Sequence, residues 1–378
     1  MHICFVTHEY PSPGLNNGGI GTFVQKLGHA LVKVGVKVSV IGLFYEKLPP
    51  LNDQGINVIR KARYRGTFAV IRNALMLNKE IKKLHKISPI NVLETSELGL
   101  AFIWKLPGIQ HVIRMHGGHH YFAKAENRPT EILKVFQEKR SFAKADHICA
   151  VSNYVGETTR NLLKLGNRKI TVIYNPLNVS QFKQADYQKA KPNTLVYVGS
   201  LVEKKGVRQL VKAMKHICKS VPDAQLRVVG RSGTVPGTGE SYMPILEAAV
   251  DESTKDAIDF TGPIPHSDIP NCLEEAEICV YPSHMEAMPM AWLEALGMGK
   301  PFVGSITGPG PEAVHEGLTG LLPNPHDPKD IADKVIYMLK NKEEAQQMGI
   351  QARKDILKRF NLDSLVDDNF KFYKSICE

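Results

Sequence analysis

Glu286 and Glu294 stand eight residues apart in the segment PSHMEAMPMAWLEALGMGKPFVGS. The residues between and around them are mostly Met, Ala, Trp and Leu, the composition of a buried segment. A carboxylate in such a place needs a partner, because an unpaired buried charge is costly. Pro289 suits the first turn of a helix, where its missing N–H is not needed. At 3.6 residues per turn, eight residues is slightly over two turns, so both carboxylates are expected on nearly one side of that helix. Two surface charges are the plain alternative; the apolar flanks favour a functional pair.

Other residues have the types that hold anions. Lys205 lies in GSLVEKKG (199–206), directly before Gly206 at an expected helix start. A cation and helix amides there can share one phosphate group, although a solvated lysine in a turn has the same spacing. Gly18, Gly19 and Gly21 precede another expected helix, where the backbone can approach a ligand or simply turn tightly. A dinucleotide fingerprint would follow its strand at once, and here about ten residues intervene. TGPGPEAVHEG (307–317) is a further possible cradle of amides. His116, His119 and His120 cluster after the run HVIRM, but no Cys or carboxylate stands at ligand spacing, so no metal site is expected and His116 alone is the candidate. No Asp-x-Asp and no Gly-x-Ser-x-Gly occurs.

These residues lie just after short β-branched runs, which alternate with helical patterns along the whole chain. Strands are expected at 2–7, 36–43, 56–60, 91–95, 111–115 and 147–151, with helices at 19–34, 69–86 and 130–144. The stretch 170–192 is rich in Asn, Gln, Lys and Pro and reads as a linker. A second series follows: strands at 194–199, 225–230, 257–261, 278–283 and 301–305, and helices at 206–220, 242–253, 267–276, 290–298 and 328–340. This order predicts two parallel α/β domains. In such sheets ligands gather at the carboxyl ends of strands, where all of the candidates fall.

Composition bounds the function. A chain of 378 residues fits two domains at roughly 100–200 residues each. Six scattered cysteines without a Cys-x-x-Cys pair argue against a disulfide framework. MHICFVTHEYP lacks the pattern of a secretory leader, and no apolar run approaches the ~20 residues of a membrane span. A cytoplasmic protein is expected, with peripheral contact to the inner face of a membrane as a possibility. Residues 1–180 carry 25 basic and 11 acidic side chains, the rest 23 and 27, so the excess positive charge belongs to the first half. Within it, 60–86 holds ten basic side chains (His85 included) and one acid, Glu80, with an apolar stripe through Phe68, Ile71, Leu75 and Leu77. A basic amphipathic helix suits an anionic membrane surface; a solvated basic face is the alternative. Arg60, Lys61, Arg63, Arg65 and Arg72 are the candidate membrane or acceptor contacts.

Taken together, the motifs resemble the family-4 retaining glycosyltransferases. The resemblance covers nearly the whole chain: the Gly18-Gly19 loop, RMHGG, EKRSFAKADHICAVS (138–152), IYNPLN (173–178), YVGSLVEKKG (197–206), VVGRSG (228–233), FTGPIP (260–265), and Glu286-x7-Glu294 with the glycine loop after it. It implies the α/β GT-B fold: two facing Rossmann-like domains, 1–180 and 190–360, with a C-terminal helix at about 360–378 crossing back to the first. It also implies a nucleotide-sugar donor, a glycan or lipid-linked acceptor, no cofactor, no metal and no nucleic acid. His116, Glu286 and Lys205 are then catalytic. The donor is held by Gly19, Gly199, Ser200, Lys205, Gly230, Glu286, Ala287, Met288, Pro289 and Glu294. Glu286 takes donor-sugar hydroxyls, Glu294 the ribose and Lys205 the diphosphate. Two positions depart from the family: Ser200 stands where an Arg is common, so one diphosphate cation is either missing or supplied by Lys204, Arg231 or another group, and Ala287 replaces a glycine.

Rival classes fit less of the chain. A nicotinamide-dependent oxidoreductase shares the architecture but needs the compact fingerprint. A basic binding module leaves Glu286, Glu294 and Lys205 without purpose, and the basic stretch lacks interleaved aromatics for nucleic acid. A nucleotide-sugar epimerase or a phosphorylase of the same fold stays open.

Overall fold

The computed structural model describes residues 1–11 and 18–378; the part of the first glycine loop before Gly18 lies outside them. The chain divides into two compact units, Met1–Pro176 with Leu362–Glu378, and Leu177–Asn361.

The first unit begins β1 (His2–Val6), α1 (Gly19–Lys33), β2 (Lys37–Phe44), β3 (Leu51–Asp53), β4 (Ile56–Ala62) and α2 (Ala69–Ile87). It continues with β5 (Val92–Thr95), β6 (Gln110–Met115), α3 (His119–Ala125), α4 (Ile132–Lys144), β7 (His147–Ala150), α5 (Asn153–Leu163) and β8 (Ile170–Val172). The strands form one sheet in the order β3-β4-β2-β1-β5-β6-β7-β8. Every pair is parallel except β3 with β4. Such a sheet is covered on both faces, which is why its central strands read as nearly continuous apolar runs such as ICFV in β1.

The second unit runs β9 (Thr194–Val198), α6 (Val207–Ser220), β10 (Gln225–Val229), α7 (Met243–Glu247), β11 (Ile258–Gly262) and α8 (Ile269–Glu275). Then come β12 (Ile278–Val280), α9 (Met290–Gly297), β13 (Phe302–Val303), α10 (Gly310–Ala313), α11 (Pro328–Lys340) and α12 (Lys342–Arg359). Its sheet is parallel, in the order β11-β10-β9-β12-β13. Leaving aside the antiparallel edge strand β3, the chain order in each sheet reverses once, between β1 and β5 and between β9 and β12. Such switch points leave a crevice at the carboxyl ends of the strands.

The last helix, α13 (Leu362–Ser375), belongs to the first unit. Leu365, Val366, Asn369, Phe372 and Tyr373 recur at helical spacing and form its buried face. There Arg114 of β6, 1% exposed, donates to Glu94 of β5 at 2.7 and 3.3 Å, to Asn369 at 2.7 Å and to Tyr373 at 3.1 Å. Tyr373 in turn donates to Glu94 at 2.8 Å. The C-terminal helix is thus tied to the sheet by a buried, hydrogen-bonded ion pair.

The stretch 170–192 is not a linker. Ile170–Val172 is the edge strand β8, and the chain passes to the second unit at 176/177. Helix α7 also ends at Glu247, short of the expected 253. All six cysteines are free thiols. Among the described residues, no helix is long and apolar enough to cross a membrane.

Candidate active site

In the second unit, β9 and β12 are neighbours, so the loops that leave them emerge side by side at the switch point. The β9 loop passes Gly199 and Ser200 and tightens into a 3-10 turn, Glu203–Lys205, before Gly206 opens α6. Gly206 has φ +68°, and a Cβ added there would lie 1.7 Å from the carbonyl oxygen of Pro282. Only glycine lets the start of α6 press against the exit of β12. The loops are also joined by His284 N–H, which donates to the Lys204 carbonyl at 2.8 Å. This approach brings the Lys205 ammonium onto Glu286 Oε1 as an ion pair. Glu286 is 7% exposed and Lys205 is half-buried.

Glu286 is therefore in the loop, and α9 begins four residues later with Pro289 as its N-cap. The expected shared helical face does not exist: Glu286 lies outside the helix and Glu294 within it. Both carboxylates are nevertheless buried, and each has a partner. Glu294 Oε1 meets His266 Nε2 at 3.2 Å, and His266 Nδ1 lies 3.0 Å from Gln181 Nε2. His266, which directly follows FTGPIP on the loop after β11, is the site residue that motif reading missed. Ala287, Met288 and Pro289 are buried beside Glu286, Gly230 is half-buried and Ser200 exposed. Thr307 braces the same loop by donating to the His284 carbonyl at 2.7 Å, and Gly308 packs against the Glu286 backbone. Below, Glu203 would be raised by burial, but Arg208, Tyr242 and Gln209 bring its carboxyl down to about 2. Its fixed charge anchors the turn that carries Lys205.

In the first unit, β6 delivers His116. Its ring meets Phe23 edge-on at 5.0 Å. Burial, and secondly the Arg114 charge, push its pKa down to about 3, so the imidazole is neutral at physiological pH. The backbone N–H of His116 donates to Glu97 at 2.6 Å. His119 and His120 turn to separate partners: His119 Nε2 accepts from Glu131 N–H at 2.9 Å, and the His120 ring pairs with Glu138. Among the described residues no three His, Cys, Asp or Glu side chains are gathered to hold a metal ion. Gly19 opens α1, and a Cβ added there would meet nothing within 4 Å, whereas one on Gly21 would strike the Glu9 carbonyl at 1.7 Å. The packing demand for glycine thus falls on Gly21, while Gly19 leaves its backbone approachable.

Glu97 is 2% exposed. Burial and the neighbouring Glu138 raise its carboxyl to about 8. A carboxyl raised in the fold stabilises it fully below its ordinary pKa of 4.5, and that contribution is lost as the pH climbs through about 8. Glu97→Gln keeps an oxygen acceptor for His116 N–H. It is expected to melt increasingly above wild type as the pH rises through that range; parallel melting curves would contradict the assignment.

Two of the five candidate membrane contacts are committed elsewhere. Arg60 is 9% exposed, and its Nε donates to the Pro49 carbonyl at 2.7 Å. Strand alternation puts it on the inward face with Ile56 and Val58. Lys61 pairs with Glu80 at 3.1 Å. Arg63, Arg65 and Arg72 are exposed.

Comparison with known proteins agrees with this architecture. The model described as "Glycosyltransferase Family 4" matches residues 17–181, and the one described as "Glycosyl transferases group 1" matches residues 179–355. The chain belongs to the family-4 glycosyltransferases and has their GT-B fold. It is 25% identical to glycogen synthase of Mycobacterium tuberculosis over 99% of its own length and 94% of the relative's. Sucrose-phosphate synthase from Thermosynechococcus elongatus superposes with a TM-score of 0.85 at 20% identity, over 99% of this chain and 98% of that one. HepE of Anabaena, solved in complex with UDP and glucose, gives 0.76 at 15% identity, over 99% and 100%.

Proposed function

We propose that this glycosyltransferase moves a hexosyl unit, with retention of anomeric configuration and without a metal, from a nucleotide-diphosphate sugar to a glycan or lipid-linked acceptor. UDP-sugars are the favoured donors and GDP-sugars the next. The observation that carries the reading is the Lys205–Glu286 ion pair at the β9/β12 switch point, with Glu294 buried within α9, the helix that follows the Glu286 loop. A nucleoside diphosphate sugar has an anion for Lys205 and hydroxyls for the two carboxylates, so binding exchanges an internal pair for two charge-assisted contacts. The complex of HepE with UDP and glucose, in the same fold, supports the choice of donor class.

In this mechanism the bond from the anomeric carbon to the diphosphate oxygen breaks as the bond to the acceptor oxygen forms on the same face. The acceptor proton passes to the departing diphosphate. Lys205, aided by amides at the start of α9, stabilises the leaving charge. Glu286 fixes the sugar and Glu294 the ribose. Neutral His116 is assigned to the donor sugar, where it adds no positive charge against an oxocarbenium-like carbon.

The test is release of nucleoside diphosphate from UDP-, GDP- and ADP-sugars with chelator present, followed by proton NMR of the product anomer. Release with at least one donor and an unchanged anomeric configuration are expected. No release from any donor would sink the function, and inversion would sink the mechanism.

A further inference from the structure

The first unit contains a cavity of about 330 Å³ at the β1/β5 switch point, lined by Val6 and Thr7 of β1 and its exit and by Ser96 after β5. Helix α2 contributes Val70, Asn73 and Leu77 to its wall, and α4 contributes Gln137. The first half of α2 is inside out. It buries Asn73 and Asn78, while Val70, Ile71 and Leu75 are 46–57% exposed. The asparagines are fully used: Asn73 bonds both backbone groups of Tyr64, and Asn78 bonds the carbonyls of Ala74 and Phe102 and the N–H of Trp104. They hold the helix in the orientation that turns its apolar residues to solvent. Phe68, at φ +63° in front of the helix, is 71% exposed. On α4, Ile132, Leu133 and Phe136 are 52–89% exposed. Burial on the protein's own core explains none of these positions.

Charge accompanies the apolar rim. Arg63 and Arg65 lie 5.4 and 5.5 Å over the exposed ring of Tyr45, and Arg72 lies 4.2 Å over Tyr64. Among the described residues these three guanidiniums meet no carboxylate, and Lys79, Lys82, Lys83 and Lys86 continue the exposed basic face along α2. On α4 the exposed Glu131 is answered by Lys134 at 2.7 Å. Apolar side chains flanked by arginines and tyrosines match a bilayer boundary, where the former enter the acyl region and the cations reach lipid phosphates. A second copy of this chain would bring another basic face against the first, which repels.

We propose that the face built from the N-terminal turns of α2 and α4 docks on an anionic lipid bilayer, so that the cavity bordered by both helices receives the head of a lipid-borne acceptor. The acceptor half of this inference rests on the glycosyl-transfer reading; the docking half does not.

The test is co-sedimentation of the full chain with vesicles of phosphatidylcholine alone, or mixed with an equal amount of phosphatidylglycerol. Wild type should bind the anionic vesicles at least roughly tenfold more tightly, and should weaken as salt rises from ~0.05 to ~0.5 M. The exposed-site variant Phe68→Ser/Ile71→Ser/Ile132→Ser should lose binding even at low salt while melting with wild type. No binding to either vesicle, or binding unchanged in the variant, overturns the proposal. So does a concentration-dependent dimer that the variant abolishes, which would make this face a contact between copies. Nucleoside diphosphate release in solution without vesicles reads the donor chemistry separately, so failure of docking and failure of the function are told apart.

Discussion

Glu286→Gln and Lys205→Ala are each expected to lower turnover by about a hundred- to a thousandfold, the usual loss when one preorganised charge at a reacting centre is removed. The two variants should differ in how the loss arises. Glu286→Gln keeps the shape of the loop and removes the negative charge that Lys205 neutralises, so the diphosphate still finds a cation while the sugar loses its strongest acceptor. Lys205→Ala leaves Glu286 buried without its Lys205 ion pair, and some loss of stability accompanies the loss of activity. Melting temperature and circular dichroism keep these apart: Glu286→Gln should melt within a few degrees of wild type. Near-wild-type turnover in both variants would remove the site assignment.

Arg114→Met should cost about 3–5 kcal/mol, the range for breaking a buried pair and stranding the other charge. The partner left behind is Glu94, 3% exposed, whose remaining side-chain hydrogen bond among the described residues comes from Tyr373 of α13. The same change deletes the bonds to Asn369 and Tyr373, so the C-terminal helix should loosen first, which hydrogen exchange in 362–375 would show. The double variant Arg114→Met/Glu94→Leu removes both charges and should recover part of the loss. Equal stability of the single variant and wild type would show that α13 is held by its apolar face alone. His116 should remain well below its ordinary pKa in the variant, since burial outweighs Arg114 among the causes.

The legible parts of this chain were those with a local physical signature. Buried parallel strands such as β1 after His2 (ICFV) and β12 (ICV) are apolar throughout, and Glu286, Glu294 and Lys205 stand out as charges beside apolar runs. Misreadings came where local pattern and tertiary setting diverge. Eight residues suggested one helical face, yet Pro289 starts the helix after Glu286, and the carboxylates are brought to their places by loop packing. β8 is an edge strand whose three residues are only half-buried, so ITV followed by a polar stretch resembled a linker. α12 opens KEEAQQ and carries little apolar contrast, which hid it. Arg60 joined a basic cluster in sequence, although alternation along β4 already placed it inward with Ile56 and Val58. His266 carried no local signal beyond its place after a strand-end loop; only the fold brings it to Glu294.

The most direct test of the central claim is equilibrium binding of uridine and of UDP to wild type, Lys205→Ala and Glu294→Gln. If Lys205 holds the diphosphate and Glu294 the ribose, UDP binds wild type more tightly than uridine does. Lys205→Ala then weakens UDP alone, and Glu294→Gln weakens both. Equal affinity of wild type for uridine and UDP, or a Lys205→Ala variant that binds UDP as wild type does, would contradict the account.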